Sequence, residues 1–385
     1  MKIAIYDYLV VRTNPAGSCH RALIAALAQE HDFTVFSSEF DNPVPARVSW
    51  VRVPSVRRPL AALFVSFHIA SILRCLKSRW SRHPFSIVQS VESNLAFGDV
   101  VYSHFCHRWF LKHRWKGCGA SGLRGATRWL DHALHAVVEP WAFRRAKWIV
   151  CPSEGLAREL KEEYPFVQSK IRVIPNPVDL DLFRPAPEFD RNAFRRQFGF
   201  DDRDRVMVFV ALGCFEHKGL PLLLEALTKP EMAGWKLVVV GGMPDLVDDY
   251  ELRVRGMGLS GSVRLVGHQN DVRPYFWAAD LFAFPSSYEV FPLVALQAAA
   301  AGCPILVTKI HGVEEFLIDG ESCLMVRPNH AAVLDGLRRF DGLLPEERQS
   351  LGKRAQIAVR AYGVDRFAIA WREFYRVAAE ESGRG

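Results

Sequence analysis

The chain has 385 residues, of which 49% are hydrophobic and 24% are charged. This length predicts two domains, and the composition is typical of a folded globular protein, which excludes disordered and fibrous classes. The formal net charge of +7 is unevenly distributed: residues 1–178 carry 24 Lys and Arg against 13 Asp and Glu, whereas residues 179–385 carry 25 against 29. A basic first half and a mildly acidic second half predict two domains with different partners.

The N-terminus begins with a strand pattern at once, and its apolar stretch is too short for the hydrophobic region of a signal peptide. Eight cysteines are scattered along the chain without CxxC spacing, most of them in apolar runs. Buried free thiols in a reducing compartment explain this pattern better than disulfides do. The sequence therefore predicts a cytoplasmic protein.

The first half alternates apolar strands with helical patterns. A helix is predicted at residues 19–30, and strands are predicted at residues 2–6, 33–36, 85–89, 100–104, 148–151 and 171–176. Strands that alternate with helices indicate a parallel sheet with right-handed crossovers.

An apolar run of about 14 residues, 60–73, is shorter than the roughly 20 residues that span a bilayer. Basic residues flank it on both sides: Arg57, Arg58, Arg74, Lys77, Arg79 and Arg82. Two interpretations stay open, a buried helix with basic ends and a helix that lies on an anionic membrane surface.

Residues 179–190 contain two prolines and little periodicity, which predicts a linker between domains. The alternation then restarts. Helices are predicted at residues 220–227, 272–279 and 292–301, and strands at residues 206–211, 236–240, 263–266, 281–284, 304–307 and 323–326.

The predicted fold is α/β, with two Rossmann-like doubly wound domains that face a cleft. Residues 1–178 form the first domain and residues 191–363 the second, while the helical pattern of residues 364–385 joins the first.

In such sheets ligands bind beyond the carboxyl ends of the strands. Glu289 lies there, between a predicted buried strand and a helix that opens with Pro292. A strand end, an acid and a helix N-terminus together favour a polar, anionic ligand.

Four segments, in this order, resemble family-4 glycosyltransferases of the GT-B fold: residues 1–17, 172–179, 213–219 and 289–304. They resemble the first strand with its glycine loop, the strand that closes the N-terminal domain, a basic loop of the C-terminal sheet, and the sugar-nucleotide signature. That signature has two glutamates separated by seven residues, and here Gln297 stands in place of the second. The resemblance implies a retaining, metal-independent glycosyltransferase that moves a hexose from a nucleotide-diphosphate sugar to a glycan or lipid-linked acceptor.

The resemblance carries catalytic roles onto Glu289, Lys218 and His104. Glu289 would accept hydrogen bonds from the donor sugar, Lys218 would neutralise the diphosphate, and His104 would contact the sugar. Gln297 keeps one acceptor but lacks the charge of Glu, which predicts weaker ribose binding. The other predicted donor contacts are Gly17, His217, Val290, Phe291, Leu293 and Val294.

Acceptor contacts are predicted at Glu92, His107 and Arg108. No metal site is predicted, because His104 and His107 have no carboxylate at a matching spacing. The predicted donor is a UDP- or GDP-sugar, and no cofactor is expected.

Basic and aromatic residues are mixed over residues 107–128. No RNA- or DNA-binding motif accompanies them, so an anionic or lipid-linked acceptor is predicted instead of a nucleic acid. The enzyme would be cytoplasmic, either free or peripheral at the inner face of the membrane, and would serve cell-surface polysaccharide or glycolipid synthesis. Two alternatives stay open: a nucleotide-sugar epimerase or hydrolase on the same fold, and a non-catalytic protein that binds sugar nucleotides or a membrane surface.

Overall fold

The computed structural model describes residues 1–56, 59–79, 85–117 and 122–382. Arg57, Arg58 and Arg82 lie outside these ranges, as does Cys118, one of the eight cysteines. The chain forms two compact units, Met1–Pro177 together with Val364–Gly385, and Val178–Gly363. Residues 179–190, predicted as a linker, belong to the second unit and contain a short helix.

The first unit alternates strands and helices as expected. Its elements, in chain order, are β1 (Lys2–Tyr6), β2 (Leu9–Val10), α1 (Pro15–Leu27), β3 (Asp32–Ser37), β4 (Glu39–Phe40), β5 (Ser49–Arg52), α2 (Leu60–Arg79), β6 (Ile87–Val91), β7 (Val100–Tyr102), α3 (His107–His113), α4 (Gly122–Arg145), β8 (Trp148–Cys151), α5 (Glu154–Glu163) and β9 (Ile171–Val173).

A seven-stranded parallel sheet organises this unit, in the order β5-β3-β1-β6-β7-β8-β9. The first strand of the chain lies centrally, where Tyr6 is in register with Phe36 on one side and Ser90 on the other. This order reverses direction at β1, as in doubly wound nucleotide-binding folds. The carboxyl ends of β1, β6 and β7 therefore lie at one edge of the sheet.

The second unit repeats the pattern. Its elements are α6 (Leu180–Phe183), α7 (Arg191–Arg196), β10 (Arg205–Val210), α8 (Phe215–Lys218), α9 (Leu220–Leu227), β11 (Trp235–Val240), α10 (Pro244–Gly256), β12 (Val263–Gly267), α11 (Arg273–Ala278), β13 (Leu281–Phe284), α12 (Leu293–Ala300), β14 (Ile305–Thr308), β15 (Leu324–Val326), α13 (His330–Gly342) and α14 (Pro345–Ala358).

Its six-stranded parallel sheet has the order β12-β11-β10-β13-β14-β15, which again reverses at the first strand of the unit. The four central strands are apolar and almost fully buried, as expected for strands covered on both faces. The two sheets confirm the predicted α/β class with two Rossmann-like, doubly wound domains.

The last helix, α15 (Val364–Ser382), packs in the first unit. Tyr375 donates a hydrogen bond of 2.9 Å to the Gln89 side chain on the central strand β6. Arg372 also forms a bidentate ion pair with Glu30 near the end of α1, with an N–O distance of 2.6 Å. The terminal helix is thus tied to the first sheet and to its first helix.

Several element boundaries differ from those predicted. Helix α1 begins four residues earlier than expected, because Asn14 caps it and Pro15 suits the first turn. Helix α12 begins after Pro292, which is its N-cap. The largest omission is α4, a helix of 24 residues that the sequence analysis did not predict.

Helix α2 exposes an apolar face. Among the described residues, only Leu60–Lys77 is long and apolar enough for a membrane span, and 22% of that window is buried. This is weak evidence for a span, because buried helices of soluble proteins share these properties. Ile69 and Leu73 are 55% and 63% exposed, and Trp141 of the neighbouring α4 is 60% exposed. The helix is therefore only partly buried. This differs from the first of the two interpretations, which predicted a buried helix with basic ends.

Seven cysteines lie among the described residues, and no disulfide joins any two of them. Six of them are buried, whereas Cys214 is exposed. The six buried thiols thus pack as small apolar groups in the manner predicted.

Candidate functional site

Lys218 and Glu289 form an ion pair at the carboxyl end of β13 in the second unit. Lys218 is the last residue of α8, and Glu289 lies in the loop between β13 and α12. The hydroxyl of Ser286 also donates to Glu289, with an O–O distance of 2.8 Å. The side chains of Glu289 and Lys218 are 11% and 24% exposed, so both remain accessible to a ligand.

Gly219 allows Lys218 to approach this strand end. Its φ of +85° lies in the left-handed region, and a Cβ there would lie 2.2 Å from the carbonyl oxygen of Pro285. Only glycine combines this φ with such a close backbone contact. The loop before α9 therefore packs directly on the residue that follows β13.

His217 joins the two loops that carry this pair. Its Nε2 lies 3.2 Å from the carbonyl oxygen of Tyr288, so Nε2 carries the proton and donates. Its Nδ1 lies 3.0 Å from the hydroxyl of Ser287, which then donates to it. A phosphate contact to His217, as the resemblance implies, would have to replace one of these bonds.

The remaining predicted donor contacts of this unit lie at the start of α12. Val290 and Phe291 are buried, while Leu293, Val294 and Gln297 are partly buried. Gly312, with a φ of +80°, lies under the ring of Phe291, where a Cβ would come within 2.5 Å. The first N–H groups of a helix have no partner within it, so this end of α12 favours an anion.

Gly17 lies in the first turn of α1 and not in the predicted loop. Its amide donates a 2.8 Å hydrogen bond to the Asn14 side chain, which caps the helix. A Cβ at this position would lie 2.0 Å from the carbonyl oxygen of Leu9 in β2. The close approach that requires glycine here is between α1 and β2, so the loop prediction is wrong.

Glu92 and His107 meet in a buried cluster at the carboxyl ends of β6 and β7. The Nε2 atom of His107 lies 3.0 Å from Glu92 Oε2. His135 of α4 lies beside them, with Nδ1 at 3.9 Å from the same oxygen and its ring stacked on that of His107 at 4.1 Å. Ser93 and Tyr8 contact the two nitrogens of His135 at 2.8 and 3.0 Å.

Burial sets the charge of this cluster. It raises the pKa of Glu92 to about 7 and lowers the pKa of His107 to about 3. Burial also lowers the pKa of His132 to about 3 and that of His135 well below its usual value. His132 Nδ1 lies 2.9 Å from His107 Nδ1, a contact that neutral imidazoles allow because one nitrogen donates and the other accepts.

His104 lies two residues beyond β7 and outside this cluster of hydrogen bonds. Its ring packs against Tyr102 at a centroid distance of 4.1 Å, and burial lowers its pKa to about 3. Its Nε2 atom is buried and has no hydrogen-bond partner within the described part of the chain. Buried polar atoms are nearly always hydrogen-bonded, so this nitrogen indicates a contact to a ligand or to water.

Arg108 is not brought to the same place as Glu92 and His107. Its Nε lies 3.2 Å from Glu163 of α5, a carboxylate that also pairs with Lys112. Part of the basic stretch at residues 107–128 is thus neutralised within the protein, while the side chain of Arg124 in that stretch lies outside the described part.

Glu139 of α4 caps the N-terminus of helix α3, although it belongs to a different helix. Its carboxylate accepts hydrogen bonds from the backbone amides of His107 and Arg108, at 2.6 and 3.2 Å, and from Tyr164 at 2.7 Å. Cys106, the N-cap residue of α3, provides no side-chain cap itself. The acid therefore fixes the segment that carries His107.

Three residues of α4 that join this site were not predicted from the sequence: His132, His135 and Glu139. These residues recur at intervals of three and four, the spacing of one helix face, and this was the available signal. Sequence spacing also did not place a carboxylate beside His107, whereas Glu92 Oε2 lies 3.0 Å from its Nε2, although Glu92 is 15 residues distant in sequence.

Comparison with known proteins assigns the chain to a family. Residues 17–182 match Glycosyltransferase Family 4, and residues 190–357 match Glycosyl transferases group 1. The chain belongs to the family-4 glycosyltransferases. A D-inositol 3-phosphate glycosyltransferase of Kineococcus radiotolerans is 28% identical to it over 335 residues, covering 74% of this chain and 72% of that protein.

Solved structures show that this family-4 glycosyltransferase has the GT-B fold. Sucrose-phosphate synthase from Thermosynechococcus elongatus superposes with a TM-score of 0.79 at 18% identity, covering 98% of both chains. HepE from Anabaena, solved with UDP and glucose, superposes with a TM-score of 0.73 at 17% identity, covering 98% of this chain and 100% of that one.

Proposed function

We propose that this glycosyltransferase is a retaining, metal-independent hexosyltransferase. It moves a hexose from a nucleotide-diphosphate sugar to a glycan or lipid-linked acceptor in cell-surface polysaccharide or glycolipid synthesis. The observation that carries the proposal is the accessible Lys218–Glu289 pair at the carboxyl end of β13, beside the start of α12.

Lys218 and the start of α12 suit the diphosphate of the donor. A diphosphate carries about two negative charges, and more charge develops on it as the glycosidic bond breaks. Lys218 supplies a cation, while Phe291, Leu293 and Val294 supply main-chain N–H groups at a helix N-terminus. Pro292 has no N–H and contributes only to the shape of the turn.

Glu289 suits the sugar and Gln297 the ribose. Two donors, Lys218 and Ser286, already orient the carboxylate of Glu289, and its remaining acceptor sites serve sugar hydroxyls. Gln297 keeps one acceptor oxygen but no charge, so ribose binding is retained in a weaker form. HepE, which shares only the fold at 17% identity, was solved with UDP and glucose, and this supports a UDP-hexose as the first donor to test.

The reaction we propose is a front-face substitution, as in the family that the chain resembles. The leaving phosphate takes the proton of the incoming hydroxyl, so no enzymatic nucleophile is required. We propose that Nε2 of His104, which has no hydrogen-bond partner within the described residues, bonds to the donor sugar. Glu92 and His107 are the proposed acceptor contacts. Arg108 is a weaker candidate for an acceptor contact, because it forms an ion pair with Glu163.

We also propose that the protein binds the inner face of the membrane. The exposed apolar face of α2 includes Val65, Ile69, Leu73 and Leu76, and α4 adds Trp141. Arg145, in the last turn of α4, lies next to this apolar surface, with its guanidinium 5.7 Å from the centroid of the Trp141 ring. An apolar face with nearby cations suits an anionic lipid surface, where a lipid-linked acceptor would be located.

Calorimetric titration with UDP-, GDP- and ADP-sugars, followed by a transfer assay with the donor that binds, tests the function. We expect one nucleotide class to bind and hexose transfer to depend on an acceptor. Turnover of the donor without an acceptor would instead identify an epimerase or hydrolase. Binding without any turnover would identify a non-catalytic protein.

A further inference from the structure

We infer that Asp7 is a further contact to the acceptor and that His20 is the residue that positions it. Asp7 directly follows β1, and His20 of α1 holds its carboxylate, with Nδ1 at 3.0 Å from Asp7 Oδ2. The ligand class is a sugar or another polyol, whose hydroxyl group donates a hydrogen bond to this carboxylate. That the ligand is the acceptor rests on the proposed transfer reaction, whereas the contact itself lies in the first unit alone.

Asp7 and Glu92 follow the ends of two neighbouring strands. The strands β1 and β6 are parallel, and Tyr6 is in register with Ser90, so both acids lie at the carboxyl edge of the sheet. Burial is the main cause of the raised pKa of Glu92, and the negative charge of Asp7 adds to it, in agreement with this placement. Ligands of doubly wound sheets bind at this edge. Asp7 therefore belongs to the same edge as the proposed acceptor contacts.

A chain of buried hydrogen bonds fixes the proton of His20. The Tyr375 hydroxyl donates to Gln89 Oε1 at 2.9 Å, and the amide nitrogen of Gln89 then donates to His20 Nε2 at 2.9 Å. The proton of the ring is therefore on Nδ1, which donates it to the Asp7 carboxylate. Because Nε2 is occupied and the His20 side chain is 0% exposed, His20 does not reach a substrate. It orients the acid.

The carboxylate of Asp7 keeps an oxygen for a ligand. The bond from His20 uses Oδ2, and no donor to Oδ1 is found within the described residues. This oxygen is not enclosed, and the Asp7 side chain is 4% exposed. The backbone amide of Asp7 donates to the Phe36 carbonyl oxygen at 3.2 Å, which holds the residue at the strand end. An ionised carboxylate only accepts hydrogen bonds, so the site suits a hydroxyl group and disfavours a phosphate.

A purely structural pair that ties α1 to β1 is the alternative. A buried carboxylate loses its hydration, and an apolar pair of similar volume often joins two elements at least as stably. In the structural case, every bond of the network contributes to stability and none to binding. Tyr375→Phe is the matched control, because it removes a bond at the far end of the same network and leaves Asp7 and His20 in place.

The experiment measures acceptor binding separately from transfer. Methyl glycosides of glucose, galactose and mannose are titrated into the full chain, and saturation-transfer NMR gives their Kd. Transfer from UDP-glucose to the same glycosides gives kcat and KM, and calorimetry gives the affinity for UDP. Asp7→Asn keeps the shape and an acceptor for His20 but removes the charge. We expect its Kd and KM for the glycoside to rise at least about tenfold, with unchanged affinity for UDP.

The role of His20 is tested by loss and rescue. We expect His20→Leu to weaken glycoside binding as Asp7→Asn does. We expect His20→Asn to restore part of the affinity, because its side-chain N–H takes the place of Nδ1–H. Tyr375→Phe should unfold at a lower temperature and bind the glycoside like the wild type.

Asp7 is not an acceptor contact if the wild type binds none of these glycosides, or if Asp7→Asn binds them as tightly as the wild type. The structural alternative holds if Tyr375→Phe weakens binding as much as Asp7→Asn does. A wild type that binds a glycoside through Asp7 but transfers no glucose to it would refute the proposed function and still support Asp7 as a hydroxyl-binding residue.

Discussion

Lys218 and Glu289 form an ion pair although 71 residues separate them in the sequence. The contact arises because β10 and β13 are neighbours in the second sheet, and the loops that follow them meet at its carboxyl edge. Gly219 and His217 fix one loop against the other. The pair is therefore assembled by the topology before any ligand binds, which lowers the cost of ordering the site.

The carboxylate of Glu289 is expected to be essential for transfer. Glu289→Gln keeps the shape but removes the charge that orients Lys218, and we expect kcat to fall on the order of 100-fold. Hexose transfer measured beside a thermal unfolding curve checks this. The control is Glu216→Gln, because Glu216 lies in α8 but pairs with Arg253 at 2.7 Å. Wild-type activity in Glu289→Gln would refute the assignment.

Gly219→Ala is expected to destabilise the second unit and to weaken donor binding. Two costs combine there, the left-handed φ and the contact with the Pro285 carbonyl. Gly234→Ala separates them, since Gly234 has a φ of +86° and open space around its Cβ position. We expect about 1–2 kcal/mol for Gly234→Ala and clearly more for Gly219→Ala. Urea unfolding measures both, and equal losses would show that the contact with Pro285 is unimportant.

The sequence predicted the two parallel sheets because their strands are apolar and alternate with helices. It also predicted Lys218 and Glu289, through motifs that are local in sequence. It did not predict the cluster around Glu92, because that cluster combines two strand ends with a helix more than 25 residues away. Helix α4 was missed since its apolar face is exposed and interrupted by charged residues, so its pattern differs from that of a core helix.

Gly17 shows a different limit. Its position after the first strand matched a glycine loop, but a glycine is also required where a helix contacts a neighbouring backbone. The sequence does not distinguish these two requirements, because both need the absence of a Cβ. The structure assigns the requirement to the contact with Leu9.

The stability of the first unit is expected to depend on pH through Glu139. Burial raises the pKa of this carboxyl to about 7, whereas its value in the unfolded chain is near 4.5. The folded state thus holds a proton that the unfolded state releases between these values, so its contribution to stability is present below pH 4.5 and is lost as pH rises to 7. The loss is on the order of 3 kcal/mol.

Glu139→Gln isolates this effect. The lowered pKa values of the buried histidines change the stability with pH in the opposite direction, but these histidines are present in both the wild type and the variant. We expect the free energy of unfolding of the wild type, relative to the variant, to fall between pH 4.5 and 7. Urea unfolding at a series of pH values measures the difference. A difference that stays constant with pH would show that the pKa of Glu139 is not raised in the folded protein.

The apolar face of α2 is expected to bind anionic lipid. Ile69 and Leu73 are exposed by 55% and 63%, so replacing both with Glu removes little buried surface and leaves the fold intact. It adds two negative charges where the membrane surface is negative, and each charge near such a surface is worth about 1 kcal/mol. We expect the double variant to lose sedimentation with anionic vesicles, while the wild type binds in low salt and is released in high salt.

Ile357→Glu provides the control for this experiment. Ile357 lies on α14 of the second unit and is 59% exposed, so it matches the α2 residues in type and exposure but not in location. If α2 is the membrane-binding surface, Ile357→Glu sediments like the wild type. If both variants lose binding equally, net charge and not α2 controls the interaction. Since electrostatic attraction is screened within about 8 Å at physiological salt, the failure of the wild type to bind even at low salt would rule out the membrane proposal.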